Sequence, residues 1–220
     1  MASDTVAPVV RSIASPTDDE IERIVALLLR IFKSDTAMES LSGRDQAVET
    51  LIYRLTLTQA VRSGECLVAR SPHNPSEICG VAAWIAPDSD WDVHDDPSFL
   101  AALDPSLREW YTSHYASKYK ELHSSLDSKY QRGAWSLKLL AVAPEARRKG
   151  VGRALVDVIT RKADSNSESM TVDVRDPSIV HFFQRAGFKY RSVKNVMSHA
   201  SPGFPIWRMV REPLGASAPG

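Results

Sequence analysis

The stretch APEARRKGVGRALVDVI, residues 143–159, sets Arg147, Arg148, Lys149 and Arg153 around Gly150 and Gly152, between the apolar run WSLKLLAV (135–142) and an amphipathic segment. At a strand-to-helix turn, amides left bare by glycine point unpaired N–H groups outward at the positive end of the helix dipole. With basic side chains around them they form an anion cradle suited to a pyrophosphate. A solvated basic turn uses the same residues and stays open as the plain alternative. Two nucleotide motifs are excluded by spacing. A Walker A loop needs Lys followed by Ser or Thr, whereas Lys149 precedes Gly150; a dinucleotide fingerprint needs a third glycine where Leu155 stands.

Other residues could move protons. Asp173 lies on the strand-like MTVDV (170–174) and is either a base or a structural carboxylate. His114 follows Leu107, Trp110 and Tyr111 at the i, i+3, i+4, i+7 spacing, which places a group that titrates near neutrality on an aromatic helix face. His181 reads as peripheral. The run DSDWDVHDDPSF (88–99) starts like a calcium loop, but Val93 and Phe99 occupy the sixth and twelfth positions, so no metal is expected. Its carboxylates either set a negative field for a cationic amine or end in a helix cap at Asp96 before Pro97. Trp84, Trp110, Tyr111 and Trp135 could line an aromatic acceptor pocket, with Trp91 nearby, or belong to the core.

Positioning these groups requires a scaffold. A strand is expected over 5–13, then a helix opened by a Thr17/Glu20 capping box, with Ile21, Ile24, Val25, Leu28, Leu29 and Phe32 on its buried stripe. A second helix is expected from about Asp45 to Arg62, with Ala47, Leu51, Ile52 and Leu55 inward and Gly64 as a left-handed terminator. Strands at 66–70 and 78–87 read as a hairpin, and Asp104 and Pro105 open a helix within a polar interlude from Asp88 to Gly133. A strand at 135–142, a helix from about Gly150 to Asp164 with Val151, Ala154, Leu155, Val158 and Ile159 inward, the strand 170–174, a short helix 177–185 and a strand 205–212 complete the order. The pattern predicts an α/β fold, a mixed and mostly antiparallel twisted sheet of about six or seven strands flanked by helices, with a helical insertion at about 88–134. One domain over 1–213 and a frayed tail over 214–220 are expected.

With 27 Lys plus Arg against 27 Asp plus Glu in 220 residues, no global basic field exists to hold nucleic acid or an anionic membrane. Cys66 and Cys79 read as buried thiols. The start MASDTVAPVV lacks a signal-peptide pattern, and the expected location is cytoplasmic, with the nucleus also open.

The stretch LKLLAVAPEARRKGVGRALV, followed by TVDVRDPSIVHFFQRAGFKY (171–190) with Gly187 and Phe188 closing it, resembles the acetyl-CoA-binding core of the Gcn5-related N-acetyltransferase (GNAT) family. Its helical insertion and aromatic-led strand look most like the puromycin N-acetyltransferase-like members. The resemblance implies an acyl-CoA N-acyltransferase fold, acetyl-CoA as co-substrate and no metal. It implies cofactor contacts from the main chain of Leu140, Ala141 and Val142, from Arg147, Arg148, Lys149, Gly150, Val151, Gly152 and Arg153, and from Asp176 and Phe183. The Val142 amide becomes the oxyanion donor. The implied reaction is direct attack by a primary amine of a small molecule in a ternary complex. Protein lysine, a protein N-terminus, or an inactive acyl-CoA-binding module are the alternatives, and a monomer or homodimer is expected. The chain departs from the family pattern where a core-strand carboxylate is usual, having Ser136 and Lys138, and where a Tyr acid is usual, having Phe183.

Overall fold

In a computed structural model, residues 8–72, 74–89, 91–124, 130, 133–198 and 201–215 are described. Residues 5–7 of the expected first strand, residues 90, 125–129 and 131–132 of the insertion and 216–220 of the expected tail lie outside them.

Among the described residues seven strands form one sheet: β1 (Val9–Ser12), β2 (Gly64–Arg70), β3 (Ile78–Ile85), β4 (Ala134–Val142), β5 (Ser169–Val174), β6 (Lys189–Val196) and β7 (Phe204–Arg211), in the order β1-β2-β3-β4-β5-β7-β6. Only the β4–β5 pair is parallel; the other neighbours are antiparallel. This is the acyl-CoA N-acyltransferase fold.

Helix α1 (Asp18–Ile31) starts at Thr17, whose hydroxyl accepts from the Glu20 N–H at 3.2 Å. Glu20 does not close the expected box, because its carboxylate takes a 2.8 Å bond from Arg70 on β2. Helix α2 (Thr36–Ser42), which apolar periodicity did not announce, is short and capped by Asp35. Helix α3 (Gln46–Ser63) turns the expected Ile52 inward, with Leu51 and Leu55 packed half-buried against the core, but Ala47 is exposed and the centre of the buried face is Val48, Tyr53, Thr56, Leu57 and Ala60. Tyr53 and Thr56 can be buried because their hydroxyls donate to Glu49 Oε1 (2.7 Å) and the Ile52 carbonyl (2.8 Å), so counting apolar residues alone leaves them out of the stripe. Gly64 is not left-handed, with φ at −178°; a Cβ there would stand 1.9 Å from the Trp84 carbonyl oxygen, and that contact demands glycine. Strand β6 also escapes the pattern, since it is an edge strand with Lys189, Tyr190, Arg191, Val193 and Asn195 exposed.

The insertion carries α4 (Pro97–Ala102) and α5 (Pro105–Glu109), capped by Asp96 and Asp104 as the sequence suggests, then a π-helical segment Trp110–Tyr115 and α6 (Ala116–Ser124). Helix α7 (Val151–Ser165) covers the opposite face of the sheet through Val151, Leu155, Val156, Ile159 and Ala163, and α8 (Val180–Arg185) follows β5. Among the described residues the two large apolar clusters lie one per face, α1, α3 and the insertion packing on one side and α7 and Phe183 on the other, with Tyr130 and Val210 a small third cluster. Among the described residues no helix is long and apolar enough to cross a membrane.

Candidate active site

Strands β4 and β5 pair only from Ala134–Ser169 to Leu137–Val172, after which β4 continues to Val142 and β5 to Val174 without pairing. The gap exposes the β4 edge. Because the Ala143 N–H bonds the Cys79 carbonyl on β3 (2.9 Å), strand alternation turns the peptide groups of Leu140 and Val142 toward the gap and those of Ala141 toward β3. Leu140 and Val142 therefore offer main-chain contacts, and Ala141 is removed from that set. The Val142 carbonyl already accepts from Arg147 Nε at 3.1 Å.

At the end of this edge, Gly150 has φ +81° and precedes α7 with no side-chain cap, so the first amides of the helix are open to a ligand. A Cβ on Gly150 would meet nothing within 4 Å, so its backbone angle, not crowding, calls for glycine. Arg148 and Lys149 are exposed beside it. Arg153 is committed elsewhere, to Asp157 (2.7 Å) and the Arg185 carbonyl (3.0 Å). An extended pyrophosphate-bearing thioester fits this combination of bare helix start and unpaired strand edge.

The cavity lined by Leu140, Val174, Asp176 and Phe183 continues through the sheet opening to a chamber lined by Phe32, Asp35, Tyr53, Trp91, Asp92, His94, Tyr111 and Tyr115. Asp176 also caps the turn Pro177–Ile179 through the Ser178 N–H at 2.8 Å. Phe183, 1% exposed, packs edge-on against Phe182 and Phe188 and brings no polar atom.

A register shift in the β3–β4 ladder matches Ala83 with Leu139 and Trp84 with Leu137, leaving Lys138 as the extra residue of a bulge. Lys138 lines the chamber, where its Nζ lies 2.7 Å from Asp92 Oδ2. Asp92 also receives the Tyr119 hydroxyl (2.8 Å) and stands 2.7 Å from His94 Nδ1. Burial pushes the Asp92 pKa up, but Lys138 and His94 outweigh it and hold the carboxyl well below its ordinary range. The exposed Asp95 carboxylate lies 3.3 Å from His94 Nε2, so an imidazolium at His94 has an acceptor at each nitrogen. Asp173 faces the same chamber from β5, bonded by Arg208 (3.0 Å), its cross-strand neighbour, and 3.2 Å from His123 Nε2. Burial is again overridden, here by Arg208 and then His123, and Asp173 stays ionised far below the usual carboxylate range. A carboxylate so held is a poor proton acceptor, so Asp173 reads as an electrostatic anchor instead of the base.

Several expected residues fall elsewhere. His114 does not reach the chamber: its Nε2 accepts from the Met197 N–H at 3.3 Å. The π segment, in which the Ala116 N–H bonds the Tyr111 carbonyl, widens the turn by one residue, so Tyr115 and then Tyr119 continue the inward row. Trp110 is buried with Nε1 on the Met197 carbonyl, and Tyr111 lines the chamber with its hydroxyl on the Leu41 carbonyl. Trp84, with 0% exposure, and Trp135, bonded to Glu168 beneath Lys162, pack on the α7 side of the sheet and line no acceptor wall. Asp92, His94, Tyr115, Tyr119, His123, Arg175 and Arg208 were not singled out in the sequence; the polar positions Ser136 and Lys138 on the core strand and the Asp-rich run were their only traces.

Residues 120–190 match the family model of the acetyltransferase (GNAT) domain. No curated protein matches the sequence significantly. Among solved structures, the chain is similar to the histone acetyltransferase HPA2 and related acetyltransferase of Corynebacterium glutamicum (21% identity, 97% of this chain and 100% of that one, TM-score 0.66). It is similar to arylalkylamine N-acetyltransferase 2 of Aedes aegypti (15%, 94% and 99%, TM-score 0.67) and to the polyamine N-acetyltransferase of Drosophila melanogaster (15%, 94% and 100%, TM-score 0.58). The domain match and the shared fold support acetyl-CoA-dependent N-acetyltransferase chemistry.

Proposed function

We propose that this chain, with its match to a GNAT domain and its acyltransferase sheet, transfers an acetyl group from acetyl-CoA to a primary amine of a small molecule by direct attack in a ternary complex. The observation that carries the reading is the continuity of the β4–β5 gap with a chamber that is acidic at Asp92 and Asp173 and walled by Phe32, Tyr53, Trp91 and Tyr111. Carboxylates and aromatic faces both attract an ammonium ion. The Arg148 and Lys149 charges and the open amides of α7 hold the pyrophosphate, the Leu140 and Val142 peptides hold the thioester arm, and the Val142 N–H receives the charge that develops on the acetyl oxygen. His94, oriented by Asp92, takes the ammonium proton so that a neutral amine attacks.

The amine acceptors in the names of the mosquito and fruit-fly neighbours agree with a small-molecule acceptor. The Corynebacterium neighbour's name favours protein lysine as a second reading. The puromycin N-acetyltransferase-like affinity, the single domain over 1–213 and a cytoplasmic site of action belong to the same proposal.

The test is thiol release from acetyl-CoA across a panel of arylalkylamines, diamines and a lysine peptide. Amine-dependent release led by the small amines is expected. Release led by the peptide transfers the reading to protein lysine, and thermal stabilisation by acetyl-CoA without any amine-dependent release overturns catalysis.

A further inference from the structure

The position at which the family pattern places a Tyr acid is Phe183, which lines the cavity without a hydrogen to give. Another hydroxyl is aimed into that cavity. Tyr115, carried inward by the π turn, is 1% exposed, and its oxygen accepts from Arg175 NH2 at 3.3 Å. Its own hydrogen meets no acceptor among the described residues. Arg175 follows β5 directly, at the place where β5 has left β4, and its buried Nε likewise has no partner. Two buried donors without acceptors, side by side where the gap opens into the chamber, call for a ligand atom rich in electrons.

We infer that Tyr115, held by Arg175, gives its hydrogen to the sulfur that departs from the acetyl donor, a role that rests on the acetyl-transfer reading. The balance closes. The amine nitrogen bonds the acetyl carbon, the carbon–sulfur bond breaks with its electron pair going to sulfur, and sulfur takes the Tyr115 hydrogen. The proton that the nitrogen sheds as it becomes an amide restores the hydroxyl, and the Arg175 cation stabilises the phenolate in between. Burial pushes the Tyr115 pKa up to about 12 against the opposing pull of Arg175, so the hydroxyl keeps its hydrogen at neutral pH, and its transfer to sulfur runs together with the return of the proton that the nitrogen sheds. The ring is locked among Trp110, Tyr111, His94 and Tyr119, with centroids 5.2 to 5.8 Å away, so removing the hydroxyl alone leaves the packing in place.

The experiment compares wild type with Tyr115→Phe in three measurements: thermal melting, steady-state kinetics with acetyl-CoA and the best amine, and binding of CoA and of desulfo-CoA above the ordinary thiol pKa of about 8.5. Expected are an unchanged melt, a kcat lowered about a hundredfold with KM for both substrates within about twofold, and CoA binding weakened about tenfold while desulfo-CoA binds as before. A kcat within threefold of wild type, or equal losses for CoA and desulfo-CoA, overturns the role of Tyr115. Arg175→Lys supplies a second arm: its combination with Tyr115→Phe should be about as slow as Tyr115→Phe alone, and multiplied losses overturn the pairing. Wild type that releases no thiol with any amine overturns acetyl transfer itself, an outcome distinct from a working enzyme indifferent to Tyr115→Phe.

Discussion

Lys138 Nζ stands 2.7 Å from Asp92 Oδ2, and through this contact the bulge in the central strand is tied to the insertion that roofs the chamber. Both side chains are largely buried, at 17% and 10% exposure. Removing one partner of such a pair strands the other charge, whereas removing both leaves an apolar contact. Lys138→Met is expected to cost about 3 kcal/mol in denaturant unfolding. The double variant Lys138→Met with Asp92→Leu should recover most of that loss, and an additive outcome would contradict the pairing.

His94 and Asp92 are expected to act together on the amine. His94→Ala should lower kcat about a hundredfold with acetyl-CoA affinity unchanged. Adding Asp92→Asn to it should cost little more, because the carboxylate works through the imidazole. Titration with acetyl-CoA beside steady-state rates separates this outcome from collapse of the chamber.

Asp92 and Asp173 have folded-state pKa values depressed below the ordinary 3.9 or so of a free Asp. A depressed value means that the contribution to stability is fully present above the unfolded-state pKa and is lost as pH falls through the folded one. Melting temperature should therefore be insensitive to these groups between about pH 5 and pH 7 and should fall below about pH 4. Asp173→Asn should start lower at neutrality, with Arg208 left unpaired, and lose less on acidification.

Arg148 and Lys149 are exposed at the start of α7, and their attraction for a pyrophosphate is screened by salt. Arg148→Ala with Lys149→Ala should weaken acetyl-CoA binding much more at low salt than at high salt. A loss independent of salt would point to structural damage instead.

Gly150 holds φ +81° with open space beside it. Gly150→Ala should cost about 1 kcal/mol of stability from backbone strain alone. It should also weaken acetyl-CoA binding, because relaxing the strain turns the α7 amides; a destabilised variant with intact affinity would remove the turn from the cradle.

The donor side of this protein is legible in its sequence because it is built from local features. A strand, a glycine turn and a helix start are consecutive in the chain, so the spacing of Arg147, Gly150 and Gly152 already specifies a cradle made of backbone. The caps at Thr17, Asp96 and Asp104 are readable for the same reason. The acceptor side depended on tertiary structure. Which Asp of DSDWDVHDDPSF is buried was decided by Lys138, 46 residues away on another element of the fold. A π turn, invisible to a 3.6-residue count, exchanged His114 for Tyr115 on the inward face. The interior of the chamber joins α2, α3, the insertion, β4 and β5, and contacts between elements so distant in sequence leave no periodic trace within any one of them.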